Sequence, residues 1–330
     1  MILTIMLLLA SAGVIYLSCE YFVNSIEWAG VRLGVSKNAV GTVLAAFGTA
    51  LPESVVTFVP VVFGHDAAQR NIGVGAALGG PLVLATVAYA VVGVVFLLNR
   101  KTHNGIFLSK RAASRLSRDQ AWFMGIFVFK VALGLIVFTW KPWLGMLFLL
   151  AYAIYIWHEM RREDDGPTEE KLEPLKFRPQ DTHPSTIWIL LQTLIALIVI
   201  FAGSQLFVRQ LTIVGPWLGM QPQTVALLFS PIATELPEIL NAVIWVRQGK
   251  QSLAFGNISG AMMIQATIPS ALGIIFTPWL LDRTLVWAAA TTMISIFGLY
   301  LLLRRSALTP ARLALFGMLY GLFAGSLFVI

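Results

Sequence analysis

Leu-Pro-Glu stands at 51–53 and again at 236–238, and each copy lies in a long apolar stretch where a carboxylate is out of place. Sliding the chain along itself by 185 positions (238 onto 53) aligns the neighbourhood without a gap. LGVSKNAVGTVLAAFGTALPE (33–53) falls on LGMQPQTVALLFSPIATELPE (218–238), and upstream Phe22-Val23 falls on Phe207-Val208. Duplicated hydrophobic halves, each interrupted by proline beside an ionisable residue, point to a transport site at the repeat interface. A glutamate at membrane depth costs at least a few kcal/mol, so two at matched positions mark function rather than accident.

With 58% hydrophobic and 12% charged residues in 330, the chain belongs to the integral membrane class. Segments of about 20 apolar residues, enough to span a bilayer, fall at 2–22, 38–63, 72–98, 121–139, 142–158, 185–208, 213–245, 252–277, 284–303 and 310–329. The expected fold is all-α, with ten transmembrane helices in two inverted five-helix repeats. The first repeat covers 1–158 and the second 185–330. The second and seventh segments are over-long and should bend near Pro-Glu. Residues 159–184, rich in acidic residues and proline, read as a solvated, partly disordered cytoplasmic linker.

Orientation follows from basic residues in the loops. With the N-terminus outside, eighteen of the 23 Lys and Arg fall in inner loops, against Arg70, Lys141, Arg209 and Arg283 outside. Both termini are therefore expected outside and the linker in the cytoplasm, in a membrane of the bacterial inner type. The net charge of +7 then reflects topology and contact with anionic lipid, with no nucleic-acid partner required. The opening MILTIMLLLASAG lacks a basic leader and matches the sixth helix across the repeat, so it reads as a retained first helix. The single Cys19 excludes an intrachain disulfide and a cysteine metal cluster.

Each Pro-Glu helix is followed by a helix rich in small residues, NIGVGAALGGPLVLAT (71–86) and LAFGNISGAMMIQAT (253–267). Gly75 and Gly79 correspond to Gly256 and Gly260, a spacing that puts both glycines of each pair on one helix face for close packing. Glu53 and Glu238 supply carboxylates for a metal or monovalent cation. Thr49 and Thr234, one turn earlier, can add hydroxyls. Pro52 and Pro237 free backbone carbonyls around Gly48 and Ala233. Hard cations prefer such oxygens, and unwound backbone is tolerated only where it lines a cavity. A purely structural reading, with prolines as kinks and neutral hydrogen-bonded glutamates, leaves the duplication without a cause.

GTALPE (48–53) and ATELPE (233–238), each followed by a glycine-rich helix, resemble the two alpha repeats of the sodium/calcium exchanger superfamily. The family pattern is Gly-Thr-Ser-Leu-Pro-Glu, then Gly-Asn, two residues, and Gly-Ser-Asn-Ile-Phe-Asn or an Asp-ended variant. The resemblance covers essentially the whole chain. It implies an alternating-access antiporter that carries Ca²⁺ or a monovalent cation between its second, third, seventh and eighth helices, with no resident cofactor. Carried over, the ligands match Glu53, Glu238, Thr49 and Thr234. The Asn of Gly-Asn is kept at Asn257 but is Ala76 in the first half. The serine position is Gly80 and Ala261, and the closing polar position is Leu84 and Gln265. Glu235 replaces a small serine. Several oxygens are lost and one carboxylate gained, so cation antiport is implied more firmly than Ca²⁺, which takes six to eight oxygens.

Lys130, within FVFKVALGLIV, either snorkels to an interface or lies in the bundle interior as an internal cation near a carboxylate. Glu20 sits at an interface or on an outer access path. His65-Asp66 belongs to a solvated outer loop. No His-Glu-x-x-His, phosphate loop or nucleophile elbow is present, which argues against an enzyme. The expected function is antiport of a cation against Na⁺ or H⁺. The competing reading is a non-transporting scaffold or sensor derived from the exchanger fold, although a scaffold without ion binding should shed costly buried glutamates.

Overall fold

The computed structural model describes residues 2–32, 51–99, 108, 110–160, 173–247, 249 and 251–327. Among them there is no strand. The helices, numbered in chain order, are α1 (Ile2–Arg32), α2 (Leu51–Phe63), α3 (Ala67–Val83), α4 (Tyr89–Leu98), α5 (Lys110–Leu135), α6 (Lys141–Met160), α7 (Thr186–Trp217), α8 (Pro222–Thr234), α9 (Leu236–Arg247), α10 (Gln251–Phe276), α11 (Arg283–Arg304), α12 (Pro310–Ala314) and α13 (Phe316–Ser326). A π-helical turn at Leu84–Ala88 joins α3 to α4 in one continuous run. The all-α membrane architecture read from hydropathy is the one observed. By length and composition α1, the α3–α4 run, α7, α10 and α11 can each cross a bilayer.

Several boundaries differ from the hydropathy reading. α1 runs to Arg32 and α5 starts at Lys110, because helix continues into polar residues beyond the apolar window. The break expected near 209–212 lies at 218–221 instead, where Pro216 ends α7, Gly219 takes a φ of 67° and Pro222 opens α8. The bend expected at the second Pro-Glu falls on Glu235, the single residue between α8 and α9. Pro237 there has no N–H for the Ala233 carbonyl.

α3 and α10 are the most buried spans, whereas α1 and α7 pack on each other and turn most of their outer surface outward. Leu9, Leu17, Leu190 and Leu194 are exposed on those faces, as lipid-facing residues should be. Trp140, Trp143, Trp157 and Trp217 are exposed near helix ends in the manner of an interfacial belt.

Gly75 and Gly79 bring the backbones of α3 and α8 together. A Cβ on Gly75 would stand 2.1 Å from the Gln223 carbonyl oxygen, and one on Gly79 2.5 Å from that of Leu227. Either alanine must push the helices apart, at a cost of about 1–3 kcal/mol by analogy with overpacked cores. Gly75→Ala and Gly79→Ala should each lower the thermal unfolding midpoint in detergent. An unchanged midpoint in both would refute the close contact. For the repeat-matched Gly256 and Gly260 no described atom lies within 4 Å of an added Cβ, and residues 38 and 42, which repeat matching sets against them, lie outside the described residues. The packing role expected for this second pair is therefore not seen among the described residues.

The linker also departs from expectation. Residues 173–184, read as solvated coil, form a strap across α1 and α7. Asn24 Nδ2 donates to the Glu173 and Pro174 carbonyls, both at 3.3 Å, and Asn24 Oδ1 accepts from the Lys176 amide at 3.0 Å. Gln192 Oε1 accepts from the Phe177 amide at 2.9 Å, while its Nε2 donates to the Tyr21 carbonyl and Asn24 Oδ1 at 2.8 and 3.0 Å. Leu175 is fully buried. Glu20 joins this strap through an ion pair with Lys176 at 3.0 Å. That places Glu20 at the end of α1 that the strap covers. Asp66 caps α3, its carboxylate accepting from the Gln69 amide at 2.7 Å, so the His65-Asp66 loop has a structural use.

Candidate functional site

The site is built where the duplicated motifs of the two halves cross. Glu53 stands in the first turn of α2, Glu235 at the α8–α9 break, and Glu238 in the first turn of α9. All three carboxylates are 0–1% exposed. Glu235 lies within electrostatic range of both Glu53 and Glu238. Three carboxylates gathered in a space closed to water repel one another, and each costs several kcal/mol to bury without a compensating charge.

The halves interlock around these groups. Thr234 Oγ1, from the second motif, donates to Glu53 Oε2 of the first. Ser204 Oγ of α7 donates to the Val55 carbonyl of α2 at 3.4 Å. Cys19 of α1, which aligns with Ser204 at the 185-residue offset, lies within electrostatic range of Glu238. Each half thus sends a helix past the other half's glutamate.

Gln265, from α10, donates through Nε2 to Glu235 Oε1 at 2.6 Å. Gly80 of α3 makes room for this pair. A Cβ there would stand 2.7 Å from Gln265 Oε1 and 3.0 Å from Glu235 Oε1. The three departures from the family pattern at 80, 235 and 265 therefore meet at one point in space. Glu53 Oε1, Glu235 Oε2 and Gln265 Oε1 are buried acceptors without a hydrogen-bond partner among the described residues, a condition that natural cores avoid unless something else satisfies the group. They are oxygens of the hard type that a cation takes.

Of the other expected site residues, Thr49 and Gly48 lie outside the described residues. Pro52 is buried beside Glu53, and Pro237 occupies the first turn of α9. Asn257 is only half-buried, its amide nitrogen has no partner, and it makes no hydrogen bond to the carboxylates among the described residues. Leu84 falls in the π turn and is fully buried in an apolar cluster. Among the described residues no group of three or more His, Cys, Asp or Glu side chains forms a ready-made metal site, so Glu53 and Glu238 need hydroxyl and carbonyl partners to hold an ion. The surface cavities near Trp122 and near Asp282 are not lined by any of the three carboxylates.

Two participants, Ser230 and Thr57, escaped the sequence reading, and Lys130 takes the second of its two expected places. Ser230 is one turn before Thr234 and Thr57 one turn after Glu53, and both hydroxyls are buried without a partner among the described residues. Their i±4 spacing from the motif was the available signal. Lys130 does not snorkel: it is fully buried, its Nζ donates to the Ala77 carbonyl at 3.1 Å, and its charge acts on Glu53.

Comparison with known proteins bears on the family and the fold. A family model described as sodium/calcium exchanger protein matches residues 3–160 and 188–329. Inner membrane protein YrbG of Escherichia coli (strain K12) is 26% identical over 294 residues, covering 86% of this chain and 82% of YrbG. A structure of the sodium-calcium exchanger NCX_Mj, soaked with Na⁺ and Sr²⁺, superposes with a TM-score of 0.59 at 20% identity, covering 98% of this chain and 99% of that one. A crystal structure of the H⁺/Ca²⁺ exchanger CAX gives a TM-score of 0.65 at 15% identity, covering 98% and 88%.

Proposed function

The chain belongs to the sodium/calcium exchanger family, a family of transporters rather than enzymes, and from that premise we propose that it exchanges a cation against Na⁺ or H⁺ by alternating access at the Glu53–Glu235–Glu238 centre. One observation carries the reading: Thr234 of one repeat motif binds Glu53 of the other inside a closed cluster of carboxylates. A cation entering this cluster relieves the mutual repulsion, and leaving again restores it. Glu53 and Glu238 bind the ion or its counter-proton. Thr234, Gln265, Glu235 and proline-freed carbonyls complete the shell, with Thr49 and Asn257 in the same role from the flanking motif positions. Inorganic cations and membrane lipid are the partners. A scaffold reading gains nothing from three carboxylates buried together. Flux into proteoliposomes with Ca²⁺, Na⁺, K⁺, Mn²⁺ and H⁺ gradients imposed one at a time tests the proposal. Silence under every gradient would refute it.

In this reading the two repeats, 1–158 and 185–330, are inverted, both termini face outward, and the 159–184 linker is cytoplasmic in a bacterial-type inner membrane. Cys19 is buried and gives little background labelling. Single cysteines placed at 163–175 should react with an impermeant reagent only from the cytoplasmic side, and one at 65 only from outside. Linker labelling in intact cells would overturn the orientation.

A further inference from the structure

Pro81 lies inside α3 and carries no N–H, so the carbonyl four residues earlier, that of Ala77, has no helical donor. The group that takes this oxygen is the Lys130 ammonium of α5, at 3.1 Å. The same ammonium stands 4.7 Å above the Phe127 ring and within electrostatic range of Glu53, while the Trp279 indole holds the Lys130 carbonyl at 3.0 Å. A proline-freed carbonyl, an aromatic face and a carboxylate are what an inorganic cation seeks in a membrane interior. An ammonium with no exposed surface is stable there only beside a negative charge.

We propose that Lys130 is a tethered cation of the site, fixed where a further transported cation would otherwise bind, so that it lowers by one the positive charge the site takes up in each half of the exchange cycle. The inference rests on the exchange reading. The ammonium beside Glu53 offsets one of the three carboxylates and leaves two negative charges for the cargo, met by one divalent ion, by two monovalent ions, or by an ion and a proton. Without Lys130 the same carboxylates call for three. Lys130 thereby sets how many cations the site holds at once, although it need not touch the transported ion.

The test uses the full chain, with Na⁺, K⁺ and Ca²⁺ presented singly, the number of ions bound per protein read by calorimetric titration and exchange read in proteoliposomes. Lys130→Met and Lys130→Gln should each bind one more monovalent cation per protein than wild type. Glu53→Gln with Lys130→Met, which removes one carboxylate and the one ammonium, should recover exchange with the wild-type number of bound ions where Glu53→Gln alone is silent. A lysine that merely braces the Ala77 carbonyl predicts neither result. The wild-type number of bound ions in both single variants would overturn the proposal. If neither single variant folds, the double variant decides alone: exchange with the wild-type number of bound ions supports the proposal and no exchange overturns it. Absence of exchange by wild type would instead sink the exchange reading itself, so the two failures are distinct.

Discussion

Glu53→Gln and Glu238→Gln should each abolish coupled cation exchange and leave the protein folded. Glutamine keeps the shape of the side chain. At 53 its carbonyl oxygen can still accept from Thr234 Oγ1, the contact that joins the two halves. What disappears is a charge at a place with 0–1% exposure. At about 4 Å and an effective dielectric of about 20, one carboxylate contributes roughly 4 kcal/mol of attraction to a monovalent cation. Its loss lowers ion affinity by about a thousandfold. At 238 folding moves the other way, because removing one of several repelling carboxylates relieves the native state, whereas at 53 that relief is offset by the charge lost beside Lys130. Both variants should elute as monodisperse protein, Glu238→Gln with an unfolding midpoint equal to wild type or above it, while ion-driven flux falls to the empty-liposome level. Wild-type flux in both would end the central-site reading.

The glutamates were legible in the sequence because duplication made them so; a single Leu-Pro-Glu would have passed for a kinked helix. The break at Glu235 was legible for a related reason, since proline at 237 must interrupt the ladder whatever surrounds it. Lys130 was not, because FVFKVALGLIV reads alike for a lysine that snorkels and one that is buried. The missing clue lay some fifty residues away, in the carbonyl that Pro81 strips of its donor. The strap at 173–184 was hidden by its polar composition, which suits coil and docked segment equally. Asn24 and Gln192, polar residues within otherwise apolar helices, were the overlooked sign that something polar must meet them. The partner of Gly256 and Gly260 stays outside this comparison, because repeat matching sets against them residues 38 and 42, which are not among the described residues.

Restoring the family serine at position 80 should disable the site unless Gln265 is shortened with it. Taken one by one along the sequence, Gly80, Glu235 and Gln265 look like separate losses and gains. In space they form one assembly, with Gln265 Nε2 holding Glu235 Oε1 at 2.6 Å over the bare backbone of Gly80. A serine Cβ would stand 2.7 Å from Gln265 Oε1 and 3.0 Å from Glu235 Oε1, inside contact distance for both. One of the two must turn away and leave a buried polar group unpaired, at about 1–3 kcal/mol. Gly80→Ser alone should therefore cut exchange at least tenfold, since about 1.4 kcal/mol corresponds to that factor in binding. Gly80→Ser with Gln265→Ser should recover it and shift selectivity toward Ca²⁺, because two hydroxyls replace one amide and free Glu235 to face the ion, bringing the oxygen count nearer to what a divalent ion needs. Glu235→Ala in that background should remove the Ca²⁺ gain and spare monovalent exchange. Calorimetric titration of Ca²⁺ and Na⁺ into the purified variants reads both affinities. Equal activity of Gly80→Ser and wild type would show that the three positions are independent and that Glu235 is not held in the site by its neighbours.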